Sequence, residues 1–207
     1  MRLIEFNQFD TIYHEHFSHL SLYTVSQIFK SVGLRIWNVE ELPTHGDSLR
    51  IYGCHQEDQR QTLPAVQAIL DQEKERGLQD LNTYQQFQKK ADLIKNDFPE
   101  FLIEQKKLGK VVAAAYGAAA KGNTLMNYAG VKPDLLPFVC DAALAKQNKF
   151  IPGSHIPILA PKALAERKPD FVVILPWNIA EEVMKQNADL VATGTKFVKA
   201  IPLLTVL

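Results

Sequence analysis

Residues 111–124 read VVAAAYGAAAKGNT, in which an uncharged apolar run of strand length enters a glycine-containing turn. A helix is predicted to follow this turn, and further apolar runs of strand length occur at 138–141 and 171–175. The order strand, turn, helix, strand is typical of a βαβ unit in a mostly parallel sheet. We therefore expect residues 110–207 to form a domain of the α/β class.

The segment upstream of this region predicts one helix and a pair of short strands. Ser21 is a candidate N-cap and Gly33 stands where a C′ residue belongs, so the apolar spacing between them predicts a helix over 22–32. Two strands with a loop between them are predicted next, the strands at 34–39 and 49–52 and the loop at 43–47.

A Gln-rich, charged connector occupies residues 61–109, and its apolar side chains recur at helical spacing. Gly77 is expected to break this connector. The sequence at 97–100 has capping-box spacing and places Pro99 in the first turn, which predicts that a helix restarts there. Gly109 is expected to end that helix.

The last part of the chain is predicted to add a helix and two strands to the domain. Asn178 is a candidate N-cap for a helix over 179–191. Late strands are expected at 196–200 and 203–206.

The composition excludes several classes of protein. The 207 residues carry 23 Lys and Arg against 23 Asp and Glu, and this zero net charge disfavours a nucleic-acid binder. The hydrophobic fraction of 46% and the charged fraction of 22% are typical of a globular chain. The longest uncharged apolar stretch is too short to span a bilayer. Cys54 and Cys140 lack metal-type spacing, so we expect no metal site, no disulfide scaffold and a cytoplasmic location.

Tyr13, His14, Glu15 and His16 form the densest group of reactive side chains in the sequence. Imidazole titrates near neutral pH and a neighbouring carboxylate fixes its tautomer, so this group suits general-base catalysis. His14 and His16 would also share one side of a strand, but no third metal ligand stands at a useful spacing. A hydrogen-bonded structural role is the alternative.

The turn at 117–124 has the form G-x-x-x-x-G-N-T. It is not a P-loop, because Asn123 stands where the phosphate-binding lysine is needed, and it lacks the first glycine of a dinucleotide fingerprint. The N–H groups at the start of the following helix, together with Lys121, nevertheless suit a diphosphate. Asp141 ends the next strand at about the distance of a ribose-binding carboxylate. A tight turn without a ligand is the alternative.

Two proline-containing loops, 151–158 and 175–178, flank predicted strands. Ligand sites of open α/β sheets gather at the carboxyl ends of strands, so these loops are candidate contact regions, with simple turns as the alternative. The predicted substrate-binding residues of the turn and the loops are Gly117, Lys121, Asn123, Thr124, Asp141, Ser154, His155, Trp177 and Asn178.

Five stretches distributed along the chain outside the connector resemble one family. They are FDTIYHEHFSHLSL at 9–22, ELPTHGDSLRIY at 41–52, AYGAAAKGNTLMNYAG at 115–130, IPGSHIPI at 151–158 and PDFVVILPWN at 169–178. In this order they are similar to the C-terminal half of the sugar C-methyltransferases. Those enzymes transfer a methyl group from S-adenosylmethionine to a carbon next to the keto group of a nucleotide-linked 4-keto-deoxysugar.

The resemblance implies three parts in this chain. Residues 1–60 correspond to the tail of the methyl-donor domain, 61–109 to a helical connector, and 110–207 to a Rossmann-like domain that binds the nucleotide sugar. The family's cysteine-rich zinc domain and its Gly-rich donor-binding turn have no counterpart in this sequence. We therefore expect a truncated or partial enzyme that does not bind S-adenosylmethionine by itself.

The family's Tyr-x-Glu-His motif is matched by Tyr13, Glu15 and His16. By resemblance, His16 removes the proton next to the ketone, Glu15 orients His16, and Tyr13 hydrogen-bonds the sugar or enolate oxygen. The expected partners are a nucleotide-diphosphate sugar and either a second copy of the chain or an N-terminal module missing from it. A catalytically silent nucleotide-sugar-binding or assembly module is the alternative, and an NAD-type Rossmann protein is disfavoured by the incomplete glycine fingerprint.

Overall fold

The computed structural model of the chain describes residues 1–42, 48–115 and 117–207. Contacts among these residues divide the chain into two compact units. The first unit comprises Met1–Glu5 and His16–Lys89, and the second comprises Phe6–Glu15 and Lys90–Leu207. The predicted loop at 43–47 lies outside the described residues. The functional division at residues 60 and 109 differs from these boundaries and stays a prediction.

The first unit combines helices with an antiparallel ribbon. It contains α1 (Arg2–Glu5), α2 (Leu22–Ser31), β1 (Leu34–Leu42), β2 (Ser48–His55), α3 (Pro64–Glu75) and the start of α4 (Leu81–Lys107). β1 and β2 pair in antiparallel register, with Leu34 opposite His55. The buried core joins α2, α3 and the ribbon through Leu22, Ile36, Val39, Val66 and Ile69. The predicted helix and both predicted strands of this segment are therefore present.

The helix ends of this region follow from local sequence. Ser21 Oγ accepts the N–H of Thr24 at 3.0 Å, which confirms the predicted N-cap of α2. Gly33 follows the helix with a φ of +73°, a conformation that glycine adopts without a steric penalty. The predicted break at Gly77 and the predicted end at Gly109 have the same cause, with φ values of +71° and +73°.

A second cap of α2 comes from a distant helix. The Glu73 carboxylate of α3 accepts the N–H of Leu22 at 2.7 Å and the N–H of Tyr23 at 2.9 Å. Glu73 is only 1% exposed. The buried carboxylate therefore satisfies two of the N–H groups that the first turn of a helix leaves without an intrahelical partner.

α4 is continuous, so the predicted restart at 97–100 is wrong. Pro99 lies inside the helix, where a proline removes a backbone hydrogen bond and costs about 3 kcal/mol. Phe98 and Leu102 are completely buried on the same helix. Burial of such side chains stabilises by about 1.5–3 kcal/mol each, which offsets the cost of the proline.

The second unit is built on a six-stranded sheet. Its strands are β3 (Val112–Ala115), β4 (Val139–Cys140), β5 (Ile158–Leu159), β6 (Phe171–Ile174), β7 (Lys196–Lys199) and β8 (Thr205–Val206). The order is β5-β4-β3-β6-β7-β8, and all neighbours pair in parallel except β7 and β8. The predicted α/β class is confirmed. The chain order reverses at β3, because β4 and β5 extend the sheet on one side and β6 to β8 on the other.

The helices of the second unit depart from the prediction in one region. They are α5 (Ala120–Tyr128), α6 (Lys162–Arg167), α7 (Ala180–Gln186) and α8 (Ala188–Ala192), together with the later part of α4. The single helix predicted over 179–191 is wrong, because it breaks at Asn187, whose Nδ2 donates to the Val183 carbonyl at 2.8 Å. Asn178 is not a cap, since Ile179 occupies that position without a side-chain hydrogen bond.

The buried core of the second unit lies between the sheet and its helices. It includes Phe138, Cys140, Ala163, Leu164, Val172, Ile174, Val183, Leu190 and Phe197. The near-continuous apolar character of β6 reflects this burial on both faces. Within the described ranges, no helix has the length and apolarity needed to cross a membrane.

Candidate functional site

The segment Phe6–Glu15, which carries Tyr13, His14 and Glu15, belongs to the second unit. Its 3₁₀ turn Phe9–Thr11 is buried and packs against α5. The Phe9 ring meets the Tyr128 ring edge-on, with 5.4 Å between the ring centres. Asn7 Nδ2 donates to the carbonyl oxygen of Lys90 in α4 at 3.0 Å. These contacts hold the turn against two helices of the C-terminal part of the chain.

Three side chains meet where the chain order of the sheet reverses. Lys121 lies in the first turn of α5, after β3, while Trp177 and Asn178 lie in the 3₁₀ turn after β6. Lys121 Nζ lies 4.6 Å from the centre of the Trp177 ring and donates to Asn178 Oδ1 at 3.3 Å. Open α/β sheets bind ligands in the crevice at such a reversal, outside the carboxyl ends of the strands. The structure therefore brings three of the predicted contact residues together at this crevice.

Asp10 joins this group from the N-terminal segment. Its Oδ2 accepts the indole N–H of Trp177 at 2.8 Å, although 167 positions separate the two residues in the chain. Asp10 is 1% exposed, and its Oδ1 has no hydrogen-bond partner of good geometry among the described residues. A buried acceptor without a partner is costly, so this carboxylate needs an explanation beyond packing.

The electrostatics of the group follow from burial. Burial raises the pKa of Asp10 to about 6, against the opposing effects of the Trp177 hydrogen bond and of the Lys121 charge. Burial also lowers the pKa of the half-buried Lys121, and the Asp10 charge opposes that shift. The two groups therefore stabilise each other's ionised forms inside a desolvated site.

An open cleft of about 480 Å³ adjoins this group. It is lined by Trp177, Asn178, Ile179, Ala180, Glu181, Glu182, Lys185 and Lys199. Its two glutamates and two lysines balance in charge.

The glycines of the turn allow the turn and α5 to pack closely on Leu175, the residue that follows β6. Gly117 donates its N–H to the Cys140 carbonyl at 3.3 Å, and an added Cβ there would lie 2.2 Å from Leu175 Cδ1. An added Cβ on Gly122 would lie 2.6 Å from the Gly117 carbonyl oxygen. Ala119 is the N-cap residue of α5, and its methyl side chain cannot accept a hydrogen bond. The first N–H groups of α5 are therefore not capped by the side chain of this residue.

Replacing Gly122 by alanine is expected to lower the free energy of unfolding of the second unit by about 2 kcal/mol. The new methyl group would press on a backbone oxygen that cannot move aside, and such overpacking outweighs the gain in helix propensity. Urea unfolding followed by Trp177 fluorescence, in a Trp37→Phe background, measures the change. Unaltered stability would show that α5 does not pack this closely against the turn.

Two predicted contact residues of α5 take part in local hydrogen bonds. Asn127 Nδ2 donates to Asn123 Oδ1 at 2.8 Å and to the Pro152 carbonyl at 3.0 Å, which ties α5 to the 151–158 loop. Thr124 Oγ1 donates to the Ala120 carbonyl at 3.1 Å. Substrate contacts by Asn123 and Thr124 stay predictions.

The three predicted contact residues between α5 and α6 differ in exposure. Ser154 is completely buried, whereas His155 is exposed and has a φ of +58°. Asp141 Oδ1 accepts the N–H of Ala143 at 2.8 Å, and its Oδ2 pairs with Lys146 Nζ at 3.2 Å. A ligand could reach the buried Ser154 only after a rearrangement of the loop. Ribose binding by Asp141 would compete with its contacts to the Ala143 N–H and to Lys146.

The predicted catalytic residues are divided between the two units. Tyr13 and Glu15 belong to the second unit and His16 to the first. Burial raises the pKa of Tyr13, and the charges of Glu15 and Asp10 raise it further. The His16 ring lies edge-on to the His19 ring, with 5.8 Å between the ring centres. The catalytic roles of these residues stay predictions.

Sequence reasoning missed Asp10. A single aspartate between aromatic residues has no motif spacing, and its partner lies at the far end of the chain. The available signal was its position inside the FDTIYHEHFSHLSL stretch, three residues before Tyr13.

Comparison with known proteins identifies the class of the chain. A sequence profile described as the C-methyltransferase C-terminal domain matches residues 43–202. The chain therefore belongs to the C-methyltransferase C-terminal domain family, which confirms the predicted resemblance. The C-methyltransferase NovU of Streptomyces niveus is 34% identical over 202 residues, which are 98% of this chain and 48% of that protein. The chain thus spans about half the length of this curated relative.

The methyltransferase family implies S-adenosylmethionine as the donor. Donor and nucleotide sites of α/β proteins are formed at a βα turn of a parallel sheet. In the described part of the first unit, the sheet is the antiparallel β1–β2 ribbon, which has no such turn. These residues therefore do not fit the donor, and they carry no methyl-transfer step.

Proposed function

We propose that this chain is the part of a C-methyltransferase that binds a nucleotide-linked 4-keto-deoxysugar and supplies the base for proton removal. The observation that carries the proposal is the group formed by Asp10, Lys121, Trp177 and Asn178 at the reversal of the sheet. Membership of the C-methyltransferase family supports the reaction class.

The topology of the second unit supports a Rossmann-like domain. Numbered from the first strand of the sheet, the order β5-β4-β3-β6-β7-β8 becomes 3-2-1-4-5-6, the order of dinucleotide-binding folds. In such folds the first βα turn holds a diphosphate, and here that turn leads from β3 into α5. We assign the nucleotide-sugar diphosphate to this turn.

The diphosphate would be held by charge and by helix geometry together. Lys121 supplies an ammonium group, and the first N–H groups of α5 receive no side-chain cap from Ala119. Asn178 is exposed beside Lys121 and suits a ribose or sugar hydroxyl. The adjoining cleft, with Lys185 and Lys199, leaves room for the rest of the nucleotide.

The proposed chemistry is removal of a proton next to the ketone. The keto group acidifies the neighbouring C–H bond, and the electron pair of that bond becomes part of an enolate. His16 takes the proton on its imidazole, Glu15 orients the ring, and the Tyr13 hydroxyl donates a hydrogen bond to the enolate oxygen. A neutral phenol suits this role, and the raised pKa of Tyr13 keeps it protonated at neutral pH.

Replacing Lys121 by alanine is expected to weaken binding of a nucleotide-diphosphate sugar by about 1–3 kcal/mol, because a charge-assisted contact to phosphate is lost. This corresponds to a loss of roughly 5- to 150-fold in affinity. Isothermal titration calorimetry with UDP-glucose and thymidine diphosphate glucose measures the change.

Lys162→Ala is the matched control, since Lys162 is an exposed lysine of α6 that pairs only loosely with Glu166 at 3.7 Å. Its affinity should equal that of the wild type. If Lys121→Ala and Lys162→Ala bind equally well, the turn at 117–124 is not the diphosphate site, and the main support for the proposed function is lost.

A catalytically silent nucleotide-sugar-binding module is the second candidate. The misfit of the first unit's described residues to the donor favours it. This candidate predicts nucleotide-sugar binding that depends on Lys121 but no removal of the proton next to the ketone. A separate polypeptide or a second copy of the chain would then be needed for methyl transfer.

A further inference from the structure

The Asp10 carboxylate is buried, and its Oδ1 has no hydrogen-bond partner of good geometry among the described residues. We propose that Asp10 is the counter-charge of Lys121 in the ligand-free site, and that it takes up a proton when a phosphate diester engages Lys121. This inference rests on the proposed function, because it assigns the ligand phosphate to Lys121. It adds that Asp10 takes part in ligand binding and that a proton is taken up together with the ligand.

The geometry argues against a purely structural role. Oδ2 accepts the Trp177 indole N–H, which a neutral amide oxygen could accept equally well, and Oδ1 has no partner of good geometry among the described residues. Asp10 is 1% exposed, so its ionised form is held in a desolvated place at a considerable cost. The positive charge of Lys121 compensates for this cost. The Lys121 ammonium group packs on the ring of Trp177, the same residue that donates a hydrogen bond to Asp10.

The groups around Asp10 make protonation easy. Lys121 of α5 is the cation that favours its ionised form, and Tyr13 on the same segment is a neutral phenol at neutral pH. Two charged residues of α4 contact Tyr128, since its hydroxyl donates to the Asp92 carboxylate and Lys95 lies 5.6 Å from its ring centre. The ionised form of Asp10 is favoured by the Trp177 hydrogen bond, by the Lys121 charge and by the backbone N–H groups of Asp10 and Thr11.

The proton taken up by Asp10 is expected on Oδ1. Oδ2 is occupied by the Trp177 N–H, whereas a proton on Oδ1 meets no hydrogen-bond donor of good geometry among the described residues. The raised pKa of Asp10, about 6 without ligand, shows how near this group already lies to protonation. A phosphate anion at Lys121 would repel the carboxylate and raise that pKa further.

The expected result is proton-linked binding. Calorimetric titration of the 207-residue chain with UDP-glucose, in two buffers of different ionisation enthalpy, reports the protons taken up per ligand bound. UDP-glucose is a suitable probe because its pyrophosphate diester does not titrate near neutral pH. We expect uptake approaching one proton near pH 7 and close to none near pH 5, where Asp10 is already largely protonated.

The affinity should follow the same linkage. A site that gains a proton on binding loses affinity as the pH rises, by at most about tenfold per pH unit for one proton. Asp10→Asn should bind without proton uptake, with an affinity that stays constant between about pH 6 and 8 and exceeds that of the wild type near pH 8. Asp134→Asn is the matched control, because the exposed Asp134 carboxylate pairs only loosely with Lys106, at 3.9 Å, and has no role in the proposed site; it should retain the proton uptake.

Infrared difference spectra of the wild type provide a measurement that needs no variant. Ligand addition near pH 7 should convert a carboxylate band into a protonated carboxyl band. UDP-glucose binding without proton uptake, or unchanged uptake in Asp10→Asn, would overturn this inference and leave the proposed function standing. Absence of any nucleotide-sugar binding would overturn both.

Discussion

Replacing His16 by alanine is expected to slow exchange of the substrate proton next to the ketone by about 10²–10⁴-fold, the usual contribution of a general base. The assay follows a thymidine- or uridine-diphosphate-linked 4-keto-6-deoxyglucose in D₂O by NMR, in the presence of the chain. It reports proton removal alone and needs no methyl donor. It therefore tests the proposed base in this chain alone.

His55→Ala is the control for this prediction. His55 ends β2, is exposed and has no role in the proposed site, so its exchange rate should equal that of the wild type. If the wild-type chain binds the nucleotide sugar but leaves its proton unexchanged, the silent binding module becomes the better description. If the wild type exchanges the proton and His16→Ala does so equally fast, another base acts.

Replacing Glu73 by alanine is expected to lower the free energy of unfolding of the first unit by about 3 kcal/mol. The change removes two charge-assisted hydrogen bonds to the N–H groups of Leu22 and Tyr23. Leu22 is completely buried, so water cannot replace the carboxylate at its N–H without opening the core. Urea unfolding followed by Trp37 fluorescence, in a Trp177→Phe background, isolates this unit.

Glu75→Ala serves as the control, because Glu75 is an exposed carboxylate of the same helix. It should change stability by less than about 0.5 kcal/mol. Glu73→Gln keeps one acceptor oxygen, and its stability should lie between those of Glu73→Ala and the wild type. Equal stability of all these variants would contradict the assignment of Glu73 as the second cap of α2.

Local signals in the sequence were sufficient where one residue sets the backbone. Ser21 and Gly33 predicted both ends of α2, and Gly77 and Gly109 predicted the breaks of the connector. A capping hydroxyl or a left-handed glycine acts on its own neighbours, so its effect does not depend on the rest of the fold. The apolar run at 171–175 predicted β6 for a similar reason, because a strand buried on both faces requires such a run.

The errors arose where packing outweighed local preference. Pro99 suggested a helix start, but buried neighbours in the same helix hold α4 together through it. β5 and α6 were not predicted, because a two-residue strand and a six-residue helix are too short to show a period. β5 exists because it pairs with β4, a contact that no local pattern encodes.

The sequence by itself determined the family, the α/β class and the residue types of the crevice, including Lys121, Trp177 and Asn178. Long motifs identify a family by their residue types, and the order strand, turn, helix restricts the topologies that the chain can adopt. Only the tertiary structure brought Asp10 under Trp177, across 167 positions of the chain, and joined its charge to that of Lys121. Such pairing depends on how the N-terminal segment packs on α5, and burial at that contact, not the identity of the aspartate, raises its pKa.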